Sequence, residues 1–483
     1  NLIVMKTIVK LNPTNYVISE VFVKRLLFIL LQIIFAEPFE GLTLITSMGG
    51  NQDGSSTYLI DNQENIINSW SYDIGVASVA YLMKDSTLLV PLKLEENGAP
   101  SGGVFKKIDW DGNTIWEWEM LTEVCFPHHD IAILPNENIL IICEETKTLQ
   151  ELLDAGLEGA TGIMKIDMII EIQPLPNNQA EIVWEWHFWD HLVQDRSSEY
   201  TITYGQIFEH PELLDINVNG NGANQIYDWN HTNKISYNSI FDQIVISCRN
   251  MNEIYVIDHS LTTEEAAGHS GGNQGKGGDI LYRWGNPQNY DRGTSVDQIF
   301  DAQHGINWIP ENYPGGGNFL VYNNIHQTNP NKSAVLEFEC IADENGFYLI
   351  EEDEPFGPTN YLWSYQADFF SPTQSGAYRL PNGNTLVTVT NEFNFFEVDM
   401  SGRVEWDPLF NAQCARALKY GFDYFQDNII SGDINLDGAL NILDVILLVN
   451  IIIDGDDNLN ADINQDGILN ILDIIILVNW ILE

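Results

Sequence analysis

Positive charge is what this chain has least of. Lysine and arginine total 21 against 69 aspartates and glutamates, a formal net charge of −48 over 483 residues. A field of that sign repels nucleic acid and anionic lipid, so neither is expected as a partner. It suits cation binding or a calcium-containing medium, and most of these carboxylates serve solubility. Cysteine is also scarce. Cys125, Cys143, Cys248, Cys340 and Cys414 are odd in number, widely spaced and free of any CxxC or zinc pattern. They support no disulfide framework and are expected mostly as buried free thiols. Beyond residue 36 no apolar run is long enough for a membrane helix, so no transmembrane helix is expected in the mature chain.

The one apolar run near the start is short. Lys24-Arg25 precedes Leu26 to Ala36, a positive segment, an apolar core and a small residue, which together describe a signal peptide. Residues 1–36 are therefore expected to be an export region, and the protein secreted, periplasmic or at the cell surface. A buried strand or a retained anchor is the competing reading. Met5 is the sole candidate start before the run.

From about Gly41 to Asp407 one phrase recurs: an apolar strand ending in Asp, a turn, then a strand with Trp. It reads YLIDNQENIINSW (58–70), KKIDWDGNTIWEWEM (106–120), MKIDM…AEIVWEWHF (164–188), YVIDHS…GDILYRWG (255–285), LEFEC…TNYLWSY (336–365) and FFEVDMSGRVEW (395–406). A second phrase precedes five of these: STLLV, ENILIIC, DQIVISC, GNFLVY and GNTLVTV. Asn- and Gly-rich turns before the second phrase are hairpin chemistry. Each unit predicts about four short strands, and six units predict an all-β, six-bladed β-propeller over residues 37–424. The tryptophans are expected to pack between blades. The stretches Thr262 to Gly278 and Asp215 to Gln225 read as insertions between strands.

The histidines fall at one place in this repeat. Counted back from the turn residue, His129 lies six before Pro135 and His304 six before Pro310. In HTNKISYN, His231 lies seven before Asn238 and Asn233 five before it. Inner strands line the channel of a propeller, so these groups should converge near its axis, with Arg249 on the adjoining strand. Neutral imidazole is a nucleophile and a general acid or base. Arginine offers a planar fork for sulfate, phosphate or carboxylate oxygens. The set suits transfer of an anionic group. Three histidines holding zinc is the alternative, with Asp130 and Asn233 as neighbours, although no HExxH-type signature marks it. An anionic substrate also demands a locally positive channel, which Arg249, Lys234 and Arg292 are the candidates to supply.

DWNHTNKISYN…DQIVISCRN (228–250), PHHDIAILPNENIL (127–140), GDILYRWGNP (278–287) and QHGINWIPE…GNFLVYNN (303–324) resemble motifs of the bacterial arylsulfate sulfotransferases. The resemblance implies a sulfuryl transfer from an aryl sulfate donor to a phenolic acceptor with no nucleotide cofactor. It implies that His304 is transiently sulfated, that His231, Asn233 and Arg249 hold the sulfuryl oxygens, and that His128 or His129 assists proton transfer. The alternatives are a non-catalytic propeller that binds small anions, glycans or proteins in an extracellular assembly, and a quinoprotein-like propeller, whose clustered acids are not found.

After about Tyr424 the composition changes. GDINLDGALNILDVILLVNIIIDG is followed by ADINQDGILNILDIIILVNWILE, a tandem repeat. Two EF-hand-like calcium loops are expected: Asp433, Asn435, Asp437, Ala439 (by its carbonyl), Asn441 and Asp444, then Asp462, Asn464, Asp466, Ile468 (by its carbonyl), Asn470 and Asp473. Gly438 and Gly467 supply the sharp turns, and Asp takes the place of the usual Glu at position 12. Apolar helices should follow, from Ile442 to about Ile452 and from Ile471 to about Leu482. The duplicated DxNxDGxxNxxD resembles the type I dockerin module over residues 425–483. That resemblance implies two Ca2+ sites and a cohesin-like protein or a surface anchor as partner.

Overall fold

The structure, a computed structural model, describes residues 37–48, 55–94, 102–120, 125–218, 227–326, 328–425, 442–454, 463 and 469–482. Residues 1–36, expected as an export region, and Asp433, Asn435, Asp437, Ala439, Asn441, Asp462, Asn464, Asp466 and Ile468, expected as calcium ligands, lie outside the described residues. The chain divides into a unit ending at Pro38 and a unit spanning Phe39–Glu483, and every described sheet belongs to the second.

Six four-stranded antiparallel sheets form the six blades of a propeller. From second to sixth they open on inner strands Tyr81–Leu82, Phe126–Ile133, Thr232–Asn238, His304–Trp308 and Gly376–Arg379. The second strands, such as Ile139–Lys147 and Gln243–Cys248, carry the second phrase of the repeat, as expected. The first blade is composite. Its three outer strands, Gly41–Ser47, Ser55–Ile60 and Ile66–Tyr72, pair with an inner strand from far downstream, Cys414–Gly421. The ring is thus sealed by strand pairing between the two ends of the propeller sequence. A small additional sheet, Leu192–Gln194 with Thr203–Tyr204 and Leu214–Asp215, follows the third blade.

Both halves of the repeated phrase have a visible cause. The Asp caps its turn: Asp61 Oδ1 accepts from the amides of Gln63 and Asn65, and Asp399 Oδ1 from those of Ser401 and Arg403. Such Asx turns satisfy amides that no ladder reaches. The Trp bridges to the next blade. Trp70 donates its indole N–H to the carbonyl of Asp109, Trp116 to Leu175 and Gln179, and Trp186 to Gly278. Trp284 donates to Pro358, Trp363 to Met400, and Trp406 back to Asn62. Apolar residues fill the space between blades. Ile142 and Ile169 of the third blade, for example, pack in one cluster with Ile235 and Ile246 of the fourth. Each such buried side chain contributes roughly 1.5–3 kcal/mol.

Toward the C-terminus two helices span Ile442–Asp454 and Ile471–Leu482, the first two residues longer than expected. Leu448, Ile463 and Leu477 bury one another between them. No described helix is long and apolar enough to cross a membrane.

Candidate active site

Three neighbouring inner strands position the histidines: His128 and His129 lie in Phe126–Ile133, His304 opens His304–Trp308, and His231 immediately precedes Thr232–Asn238. Each is irregular where its histidine sits. Pairing register shifts between Pro127 and Ile131, between Thr232 and Lys234, and between His304 and Asn307. A bulge re-aims side chains that regular pleating would alternate. His129 and His231 also adopt left-handed backbone, with φ of 58° and 51°. For a non-glycine residue this costs roughly 1–3 kcal/mol, a strain that surrounding packing must hold.

His304 is buried and held by one edge. Its Nδ1 lies 2.9 Å from the carbonyl of Ala302 and 2.8 Å from Oδ1 of Asn324. The amide of Asn324 is itself fixed, since Nδ2 donates to the carbonyls of Ser371 and Gln374. Two acceptors at Nδ1 place the ring proton there, which leaves the Nε2 lone pair with no hydrogen bond to any described residue. Burial lowers the pKa of His304 to about 3, helped by the nearby charges of His231 and Arg249, so the ring is neutral in ordinary buffers.

The other histidines form a chain. His128 and His129 meet Nδ1 to Nδ1 at 2.7 Å, and the rings of His129 and His231 lie edge to face at 4.7 Å between centroids. His128 Nε2 is 3.0 Å from the buried carboxylate of Asp167. Burial opposes charge on His128, but Asp167 outweighs it and holds its pKa above the usual histidine value. Burial, and then the neighbouring charge of His128, push His129 far below it. Two adjacent imidazoles displaced in opposite directions make a donor and an acceptor for one proton. His231 Nδ1 contacts Asp228 Oδ2 at 2.6 Å, so its ring is also oriented by a carboxylate.

Arg249 begins directly after the strand Gln243–Cys248, and its amide donates to the carbonyl of His231, so both occupy one rim. Among the described residues its guanidinium bonds only Asn250 Oδ1, at 3.1 Å. Asn233 lies beside the same strand, and its buried Oδ1 has no hydrogen-bond partner among the described residues. It is fully buried, and its Nδ2 donates to the carbonyl of Gln303, the residue before His304, so it braces that strand. Lys234 is paired with Asp130 at 2.7 Å, and Asp130 also takes Arg416 at 2.7 Å. Two cations thus share one carboxylate at the axis. Arg292 plays no part, for it caps the carbonyls of Phe208, Glu351 and Glu354 in outer loops.

Four contributors escape the repeat alignment: Asn324, Asp167, Asp228 and Arg416. Asp228 had a signal, standing three before His231 in DWNH, and Asp167 ends the apolar strand of its repeat unit. Three of the five cysteines are free, as expected of the majority, and the other two are paired. Cys125 and Cys143 form a disulfide between the start of the His128 strand and its neighbour, while Cys248, Cys340 and Cys414 are free. Wide sequence spacing concealed the pair because antiparallel strands bring residues 18 apart face to face.

A second cavity, of about 710 Å3, opens at the other end of the inner strands, where Tyr81, Tyr237, Trp308, Tyr378 and Tyr420 line it. No histidine is among the residues that line it.

Among curated proteins, none matches this chain by sequence. Among solved structures the matches are at low identity. A protein of unknown function from Bacteroides caccae is 11% identical, with 79% of this chain and 98% of that one covered and a TM-score of 0.42. A putative 6-phosphogluconolactonase from Bacteroides fragilis NCTC 9343 is 10% identical, with 79% and 98% covered and a TM-score of 0.41. A family profile covers most of the propeller, residues 39–401, and by it the chain belongs to the arylsulfotransferase (ASST) family.

Proposed function

We propose that this protein moves a sulfuryl group from an aryl sulfate to a phenolic acceptor through a sulfated His304. The observation that carries the reading is the lock on that ring: Nδ1–H between Ala302 and Asn324, with Nε2 unbonded. In the first half-reaction Nε2 attacks sulfur, the bond from sulfur to the aryl oxygen breaks, and the phenolate leaves with its electron pair. His129, fed by His128, returns a proton to that oxygen. The sulfated imidazole is cationic, and its remaining N–H points at two acceptor oxygens that stabilise it. In the second half-reaction the acceptor phenol gives up its proton to the same histidine pair and its oxygen attacks sulfur. The bond from Nε2 to sulfur then breaks, and His304 is restored. Arg249 supplies positive charge for the equatorial oxygens, and His231 stands beside them as a hydrogen-bonding partner.

A covalent intermediate predicts ping-pong kinetics. p-Nitrophenyl sulfate should turn over only when a phenol is present, and His304→Ala should abolish turnover. Enzyme treated with donor alone should gain the mass of one SO3 group on the peptide containing His304. A non-catalytic propeller would give neither turnover nor adduct.

The tail is proposed as a calcium-ordered, dockerin-like tether that docks a cohesin-like protein or surface anchor, and residues 1–36 as an export signal. Supporting the first point, Asp444 and Asp473, at position 12 of each loop, are completely buried. Asp473 accepts from the amides of Ile463 and Asn470, so it already closes its loop end to end. Cation-bound loops need such an inward carboxylate.

A further inference from the structure

His191, His269 and Asp279 meet on the outer side of the propeller, where the glycine-rich insertion after His259 returns to the fourth blade. His191 ends a turn, Phe188–His191, that follows the outermost strand of the third blade. Asp279 lies just before the outermost strand of the fourth, Tyr282–Trp284. His191 is completely buried, Asp279 is buried, and His269 is about half exposed.

With both imidazoles neutral and His191 bonded as it is, the hydrogen-bond count here does not close. His191 Nε2 lies 2.8 Å from the carbonyl of Ala266, which only accepts, so Nε2 carries the ring proton. Its Nδ1 then presents a lone pair to Asp279 Oδ1 at 2.8 Å. A second imidazole converges on the same oxygen, His269 Nδ1 at 2.7 Å. Lone pair against lone pair is repulsive, so something positive belongs between them. One further proton would serve, and so would a metal ion.

We propose that this is a binding site for a divalent transition-metal ion of the zinc type. Three donor atoms, one from each residue, lie within 4.8 Å of one another, close enough to share one ion. Two imidazoles and one carboxylate form a donor set suited to zinc, and poorly suited to calcium or magnesium. His191 donates its other N–H to a backbone carbonyl and stacks on Trp186 at 5.4 Å between centroids, the outer-shell support that metal-bound imidazoles use. Exposed His269 offers the way in. Gly277, in left-handed backbone, lets the insertion pack closely beside His269, where a side chain would meet the backbone of Gly268 and Ser270. The bound ion would clip the insertion onto the third blade, well apart in the fold from the inner-strand histidines.

The test uses the full chain without a histidine tag, in excess calcium to saturate oxygen-donor sites. After equilibration with zinc chloride and gel filtration, one zinc per chain should remain. Cobalt(II) chloride should give the visible ligand-field bands of a tetrahedral site. His269→Ala, at an exposed position, and Asp279→Asn should each weaken zinc binding about tenfold or more, while His231→Ala should leave it unchanged. Zinc should raise the unfolding temperature of the parent protein but not of His269→Ala. Failure to retain zinc, retention undiminished in His269→Ala, or loss confined to His231→Ala would overturn the proposal.

Discussion

Arg416 and Asp130 stand 286 residues apart in the chain and 2.7 Å apart in space. Arg416 comes from the sealing strand of the first blade, and Asp130 from the inner strand of the third. Lys234, from the fourth, takes the second carboxylate oxygen, and Tyr81 adds its hydroxyl at 2.8 Å. Four blades are therefore tied at the axis through a single carboxylate.

Removing one partner should expose the dependence. Arg416→Met should lower the free energy of unfolding in urea by about 3 kcal/mol, the low end for a broken buried pair, because Lys234 still neutralises Asp130. Arg416→Met combined with Asp130→Leu should recover part of the loss. An unchanged urea midpoint in the single variant would mean that the axial tie carries no stability.

Asn324 should matter to rate more than to binding. Asn324→Leu removes the acceptor that holds the His304 proton at Nδ1, and kcat should fall by about 100-fold or more with little change in KM. Because His304 titrates only near about 3, the acid limb of kcat/KM should not fall at the usual histidine value near 6.5. A pH profile that breaks near 6.5 and shifts in Asn324→Leu would assign that limb to His304 and contradict its burial.

His259 links the third and fourth blades and should make stability depend on alkaline pH. It bonds Asp242 at 2.7 Å and Glu171 at 2.8 Å. Burial disfavours its charge, but the two carboxylates prevail and raise it to about 9. A folded-state value above the unfolded 6.5 stabilises fully below pH 6.5 and is lost as pH rises through 9, amounting to about 3 kcal/mol at most. His259→Gln should thus lower the unfolding temperature at pH 6 and match the parent at pH 10. Equal deficits at both pH values would refute the ionic account.

Calcium removal should act on the tail alone. A 425–483 fragment should lose its helical circular dichroism in EDTA and regain it with calcium, because apo loops crowd carboxylates together. Helical signal indifferent to EDTA would sink the calcium proposal, while full-length sulfotransfer should survive chelation.

The blades were legible in the sequence because their causes are local. An Asp that caps a turn, a Trp at a fixed distance beyond it and alternating apolar residues each act within a dozen positions. The common register of His129, His231 and His304 was legible for the same reason, since each strand starts a set distance before its turn. What stayed hidden was non-local. Cys414–Gly421 carries neither phrase, so nothing marked it as the strand that seals the ring. Asn324 sits in VYNN, which looks like any strand end, and only the carbonyls of Ser371 and Gln374 turn it toward His304. The motif also could not reveal that Asn233 Nδ2 reaches the carbonyl of Gln303 on the next inner strand.

The six indole bonds deserve to be followed around once more, from Trp70 through Trp406 and back to Asn62. Each blade gives one and receives one, so the circuit has no first or last member. An open array of repeats can fray from its ends, but a closed circuit has none. Detaching any blade breaks two junctions together, which favours all-or-none loss of the wheel over stepwise peeling. It also makes the seam arbitrary: a chain rejoined at its natural ends and cut between two other blades would keep every junction, and with them the histidine rim.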